Sequence, residues 1–322
     1  MIIYFLLIAR VFAADVVCTL PWLGSLTAIV APDADITVLA RGNEDPHYLS
    51  PTPALMARVG KADVYVESGL QLELWSERLL DGAGNPKIRP GQSGYVLASK
   101  GVSPLQIPTQ LTRAQGDLHP SGNPHIWLDP LNAIIAADNI AAGLSRVDPE
   151  NAAAYKERSA AFKADIYSRM FGDDLVGFMG GELLERLARS GKLREFLDSK
   201  GLTGRLGGWM KAGEALNGKS VVFYHQSWIY FVDRFGLVVV GHIEDRPGIA
   251  PSAAHRQELE AAMMTSGAGV IGVTSYYDNR LANVLGDKTG ARVVSLPGDV
   301  GGTAAATDYF ALIDTLIASL GD

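Results

Sequence analysis

Three histidines lie in well-separated stretches: His47 in DPHYLSPTP, His125 in NPHIWLDP and His225 in VVFYHQSW. Each stands beside a run that reads as the end of a β-strand. Neutral imidazole is the commonest protein ligand for zinc and related divalent ions. Three such ligands from distant loops meet only if the fold gathers strand ends. In an open parallel sheet, ligands bind outside the carboxyl ends of the strands. His47 comes soon after a strand expected over Ile36–Ala40, and His225 directly follows one over Ser220–Tyr224. His125 sits in a proline-flanked loop before a helix expected to open near Pro130. Asp299, shortly after a strand over Arg292–Leu296, adds a carboxylate. Three imidazole nitrogens and one carboxylate oxygen make a four-coordinate set suited to zinc. Carboxylate-rich sites suit manganese better, so zinc leads and manganese is second.

The elements that must position these groups alternate. Further strands are expected at Val16–Leu20, Asp63–Glu67, Gly94–Ala98, Val238–His242 and Val270–Val273. Helical patterns fall near Leu23–Val30, Pro53–Val59, Leu72–Leu80, Trp228–Phe235, Ala253–Ser266, Asn279–Thr289 and Tyr309–Leu320. Strands alternating with helices imply parallel βαβ units covered on both faces. Two such sets imply an α/β protein of two parallel-sheet lobes, with the metal site in the cleft between them. Asp148-Pro149-Glu150 opens a long helical pattern, about Asn151 to Met170, with an N-cap, a first-turn proline and an early acid. The stretch from Gly172 to Leu206 carries Gly180-Gly181 and two amphipathic pieces, Glu182–Arg189 and Lys192–Leu197, and reads as an inserted helical hairpin. The expected division is therefore a leader (1–14), an N-terminal lobe (15–147), a linking helix with its insertion (148–217) and a C-terminal lobe (218–322).

Composition narrows the classes. The 322 residues are 48% hydrophobic and 20% charged, which is a globular balance. A net charge of −7 argues against a nucleic-acid surface. The one cysteine, Cys18, excludes an intrachain disulfide and a cysteine-based metal cluster. It reads as a small buried hydrophobe of the first strand. MIIYFLLIARVFAA at the start resembles an export signal, apolar and ending in small residues, although no basic residue precedes the apolar run and Arg10 interrupts it. An extracytoplasmic or periplasmic location follows as the expectation. Gly213–Ser220 matches the phosphate-loop pattern GxxxxGK[ST], but that loop must follow a strand and open a helix. Here a helix precedes and a strand follows, so nucleotide binding is not expected.

Longer stretches carry a resemblance. They are GNEDPH ending at His47 with Pro51-Thr52-Pro53, Ala62-Asp63, the run from Gly69 to Trp75, and NPHIWLDP from Asn123 to Pro130. The second half adds VVFYH ending at His225, Tyr230-Phe231, Phe235-Gly236-Leu237 and PGIAPS from Pro247 to Ser252. Together they resemble the substrate-binding proteins of zinc/manganese ABC importers. The resemblance implies two α/β lobes joined by one long rigid helix, with a divalent ion in the cleft. It implies that His47, His125 and His225 are ligands and that a C-terminal-loop aspartate, here Asp299, is the fourth. Water or Glu244 is the alternative at that position. It further implies a membrane permease and a separate ATPase as partners, a monomeric receptor, and no enzymatic activity.

The long histidine-rich loop of many zinc-specific relatives is missing. Only His119 remains, within Gly116–Gly122, and it reads as a solvated loop residue with accessory metal capture as the alternative. His242 and His255 read as strand-end packing and a helix's first turn. Asp45, Asp129 and backbone carbonyls are candidate partners for the ring N–H groups that ligating histidines donate. Trp127, Tyr224 and Trp228 are expected to wall the cleft. A three-histidine zinc hydrolase is the rival of another class, but no HExxH, GxSxG or paired general base accompanies the histidines. A metal-dependent adhesin or scavenger would use the same fold and site. One helix between the lobes implies modest rather than wide closure.

Overall fold

The computed structural model describes residues 14–108, 119–245 and 249–321. The expected leader lies outside them apart from Ala14, as do Pro247, Gly248 and residues 116–118.

Short apolar runs bounded by turns become strands, and all their pairings are parallel. The first sheet holds β1 (Asp15–Cys18), β2 (Asp35–Val38), β3 (Val64–Glu67) and β4 (Tyr95–Leu97) in the order β2-β1-β3-β4. The second holds β5 (Ser220–Phe223), β6 (Val238–His242), β7 (Val270–Thr274) and β8 (Arg292–Leu296) in the order β6-β5-β7-β8. The two orders match, so each lobe has a switch point between its first and third strands, where ligand clefts form. The helices of the first lobe are α1 (Pro21–Val30), α2 (Pro53–Val59) and α3 (Ser76–Ala83). The chain then forms α4 (Pro130–Val147) and α5 (Ala152–Phe171), which pack along each other. α5 is the long helix that links the lobes.

Two details depart from expectation. A helix was expected over Leu72–Leu80, but α3 begins at Ser76. Glu73 is the reason: its Oε1 accepts from Thr19 Oγ1 (2.7 Å) and the Ser68 amide (2.8 Å), and its Oε2 from the Gly69 amide (3.0 Å). That clamp turns Leu70 and Gln71 to φ of 54° and 65°, which no α-helix tolerates. The insertion holds three helices rather than two: α6 (Asp173–Met179), α7 (Gly181–Arg189) and α8 (Leu193–Lys200). They are followed by α9 (Gly208–Ala212), then α10 (Ile229–Phe235), α11 (Ala253–Ser266), α12 (Arg280–Thr289) and α13 (Tyr309–Gly321) in the second lobe.

The core runs through both lobes without a break. Val16 and Val66 of the first sheet, Phe162 and Phe171 of α5, Phe231 of α10 and Leu316 of α13 belong to one buried cluster. A smaller cluster around Val222, Ile271 and Val273 covers the outer face of the second sheet. The phosphate-loop lookalike is a joint in this frame. A single 3₁₀ turn (Gly213–Leu216) leads into β5, and Lys219 Nζ donates to the Leu320 and Gly321 carbonyls at the end of α13 (2.7 and 3.2 Å).

Candidate metal site

His47 and His125 are delivered by loops whose backbone is tied locally, each through its own amide to a side chain two residues earlier. Asp45 Oδ1 accepts from the His47 amide (3.0 Å) and lies 2.7 Å from His47 Nδ1. The loop is pinned from beneath by Trp75 Nε1, which donates to the Pro46 carbonyl (2.9 Å). Gly42 lets the same loop lie flush against the loop after β8, since a Cβ there would sit 2.0 Å from the Val300 carbonyl oxygen. His125 precedes a 3₁₀ turn (Ile126–Leu128) and then α4, whose N-cap is Asp129. His225 stands two residues past β5.

The three rings come together. Ring centroids of His47 lie 5.4 Å from His125 and 6.4 Å from His225. A fourth ring joins them: His119 lies 5.1 Å from His47, with the two Nε2 atoms 3.1 Å apart. The solvated position expected for His119 is therefore corrected; this loop residue packs onto the histidine cluster. Among the described residues, no three His, Cys, Asp or Glu side chains meet as a finished ion-binding group. The His47–His125 spacing is close to that of two imidazoles on one ion, and the His47–His225 spacing is wider. Zn–N bonds of 2.0–2.1 Å in a tetrahedron put neighbouring nitrogens about 3.3–3.4 Å apart, and ring centroids about 5 Å apart.

All three expected ligands spend Nδ1 on an oxygen. His47 uses Asp45; His125 uses Asn123 Oδ1 (2.9 Å); His225 uses Glu244 Oε2 (3.2 Å). That leaves Nε2 as the nitrogen carrying the lone pair in each ring, the tautomer a metal requires. His125 Nε2 is buried and has no hydrogen-bond partner among the described residues. Burial, reinforced by the neighbouring His47, His225 and His119, holds the His125 pKa well below the ordinary histidine value. It is kept neutral, the form that ligates.

Other expected positions resolve differently. Glu244, weighed as a direct ligand, lies beside His225 as its Nδ1 partner. Asp129, expected as a possible partner of these rings, instead forms a buried two-pronged pair with Arg234 (2.9 and 2.8 Å). Asp299 is buried in the loop after β8, where its Oδ1 accepts from the Val300 amide (2.6 Å) and its carboxylate from the backbone of Trp22. Burial pushes its carboxyl well above the usual range. Trp127 flanks His125 (5.2 Å) and stacks on Trp22 (5.7 Å). Trp228 is buried and stacks on Phe223 (5.5 Å).

Sequence reasoning passed over Tyr277. Its ring stacks on Tyr224 (4.8 Å) and lies 5.9 Å from His225, and its hydroxyl reaches Asp45 Oδ2 (3.5 Å). The available signal was its place just past β7, a strand end at the switch point. Asn123 was also missed as the orienter of His125, although it sits two residues before it in the NPH motif.

Two parallel-sheet lobes with histidines gathered at their strand ends define the fold class, and comparison with solved structures agrees on the fold. The chain superposes on the structure described as "Crystal structure of ZnuA" with a TM-score of 0.68 and 22% identity, over 95% of this chain and 99% of the other. A laminin-binding adhesin (Lmb) from Streptococcus agalactiae shares it with a TM-score of 0.68 and 21% identity, covering 95% and 99%. The chain belongs to the family described as "ZnuA: Zinc-uptake complex component A periplasmic", whose model matches residues 16–168 and 204–322. The unmatched stretch coincides with the α6–α8 insertion. Among curated relatives, the high-affinity zinc uptake system protein ZnuA of Brucella abortus (strain 2308) is 28% identical over 170 residues, 52% of this chain and 40% of that protein. The manganese ABC transporter substrate-binding lipoprotein scaA of Streptococcus gordonii is 29% identical over 153 residues, 46% of each. The chain thus spans less than half the length of these two relatives. Bacillus subtilis (strain 168) ZnuA is 23% identical over 268 residues, 82% of this chain and 71% of that one.

Proposed function

We propose that the protein is an extracytoplasmic solute-binding protein. It captures a divalent metal ion, zinc foremost, and delivers it to an ABC-type permease driven by a separate ATPase. The observation that carries this reading is the tautomer arrangement: three imidazoles from both lobes, each with Nδ1 held by an oxygen acceptor, and His125 Nε2 buried among them with no partner among the described residues. A buried polar atom without a partner is costly, and a cation is the partner that several converging imidazole nitrogens suit.

His47, His125 and His225 are the proposed ligands, with Asp299 the sequence-based candidate for the fourth. A set rich in neutral nitrogen favours zinc over manganese. The Brucella and Bacillus relatives bear zinc in their names, whereas the Streptococcus gordonii relative bears manganese. In this reading 15–147 and 218–322 are the lobes and 148–217 joins them, and the receptor acts as a monomer. Among the described residues no helix is long and apolar enough to cross a membrane.

Isothermal titration of metal-stripped protein with zinc tests the reading. One tight site is expected, and His125→Ala should weaken it by more than about 100-fold, since even outer-shell partners are typically worth 10–100-fold. Equal binding by the variant would remove the proposal.

A further inference from the structure

We infer that the fourth ligand is His119, so that the ion is held by four imidazoles, while Asp299 serves as a brace between the lobes. This rests on the metal-receptor reading above and specifies its coordination sphere.

Three observations converge. First, His119 Nε2 already lies 3.1 Å from His47 Nε2, close to the edge of a zinc tetrahedron. Because Asp45 takes the proton of His47 Nδ1, His47 Nε2 is the acceptor and His119 Nε2 the donor in that contact. One proton sits where the two lone pairs would converge on a cation. A divalent ion between these nitrogens displaces that proton, which His119 carries on Nδ1 instead.

Second, His119 stands on the open side of the cluster. His125 is 3% exposed and His225 8% exposed, so both lie deep in the cleft. His119 is half-buried and comes from the loop that leads into Asn123 and His125. Its amide neighbourhood is fixed on one side: the Gly122 amide donates to the His119 carbonyl (3.0 Å), and the Asn123 amide to the Leu105 carbonyl (2.8 Å). The ring therefore stacks on His47 at the less buried side of the cluster.

Third, Asp299 already has a task. Trp22 lies in the first turn of α1, and the N-cap of that helix, Leu20, offers no side-chain acceptor. Asp299 reaches across from the other lobe and accepts the Trp22 amide together with its own neighbour's, at Val300. A carboxyl at the exposed amides of a helix start satisfies donors that otherwise have no partner. Turning Asp299 to a metal would surrender those bonds.

X-ray absorption on the zinc-loaded full chain, and on His119→Gln and Asp299→Asn, tests this, with zinc affinity measured by chelator competition. Four imidazole nitrogens and no light oxygen are expected in the native shell. His119→Gln should drop to three nitrogens and lose more than about 10-fold in affinity, and Asp299→Asn should keep four nitrogens and stay within about threefold. Three nitrogens and one oxygen in the native protein, with that oxygen shell altered by Asp299→Asn, would overturn the inference. So would an unchanged nitrogen count in His119→Gln. Thermal melting of the metal-free variants separates ligand loss from misfolding: His119→Gln should melt with the native apoprotein. If His125→Ala abolishes binding while His119→Gln leaves it intact, this inference fails and the receptor reading stands.

Discussion

Asn123 sets the tautomer of His125. The Asn123 Oδ1 accepts from both the backbone amide (3.1 Å) and Nδ1 (2.9 Å) of His125, while its Nδ2 donates to the Gln226 carbonyl (2.6 Å) and Gln106 Oε1 (2.9 Å). The backbone partners on both ends fix which atom is oxygen. The His125 Nδ1 must then carry the proton, leaving Nε2 bare. The same amide ties the first lobe to the loop after β5, so ring orientation and lobe spacing are coupled through one side chain. Asn123→Ala should weaken zinc binding by about 10–100-fold, the range for an outer-shell partner, with calorimetry as the readout. Asn123→Asp keeps the acceptor for His125 and should retain more affinity than Asn123→Ala; the reverse order would mean that the lobe bridge, not the tautomer, dominates.

Acid should destabilise the metal-free protein through His125. Burial depresses its folded-state pKa well below the ordinary value of about 6.5 that the unfolded chain carries. For a depressed pKa, the stabilising contribution is complete above the unfolded value and is lost as the pH falls toward the folded one. Urea midpoints of apoprotein should therefore decline from about pH 6.5 downward. His125→Gln, which cannot take up a proton, should show a shallower decline over that window. Parallel curves for the two proteins would contradict this origin.

The buried Asp129–Arg234 pair should behave asymmetrically. Asp129 caps α4 through the Leu131 amide (3.0 Å) and accepts from Nε and Nη2 of Arg234 from α10, while Arg234 Nη1 donates to the Ala188 carbonyl (2.8 Å) of α7. The pair staples both lobes and the insertion. Arg234→Met strands a buried carboxylate and should cost about 3–5 kcal/mol in denaturant unfolding. Arg234→Met with Asp129→Asn should recover much of that loss, because the uncompensated charge is gone. A double variant as unstable as the single one would show that the arginine's contact with Ala188 matters more than its charge.

The alternating pattern made the two lobes, the parallel sheets and the strand-end histidines legible, because burial on both faces and loop placement are local consequences of composition. What resisted reading was relational. Nothing in the residues around Glu73 announces that it will clamp Ser68, Gly69 and Thr19 and delay α3. Asp129 and Glu244 offer the same carboxylate in sequence, yet one pairs with Arg234 and the other sits beside His225. His119 looked like loop because its partner is 72 residues away. A Tyr-Tyr pair after β7 gave no sign that Tyr277 would span Tyr224, His225 and Asp45. Such pairings depend on which strand ends the topology brings together, and periodicity carries no such information.

Metal loading should leave the lobes nearly where they are. The cleft is bridged by bonds that do not involve the histidine rings: Tyr309 Oη donates to the Trp127 carbonyl (2.7 Å), Trp127 Nε1 to Gly298 (3.0 Å) and Tyr230 Oη to Asn123 (2.7 Å). Tyr309, Trp127 and Tyr230 are all essentially buried, and the apolar cluster passes through them into α5. Wide hinge opening would expose that cluster and break several buried hydrogen bonds at about 1 kcal/mol or more each. Small shifts of the loops bearing His47 and His225 break none of these three bonds. Small-angle scattering of apo and zinc-loaded protein should thus give radii of gyration within about 1 Å of each other, against about 20 Å for a compact chain of this length. Tyr309→Phe, which removes one bridge and keeps the packing, should leave that difference unchanged. A contraction of several ångströms on zinc binding would mean that the buried bridges re-form with each loading cycle, and the lobes would then be hinged rather than clamped.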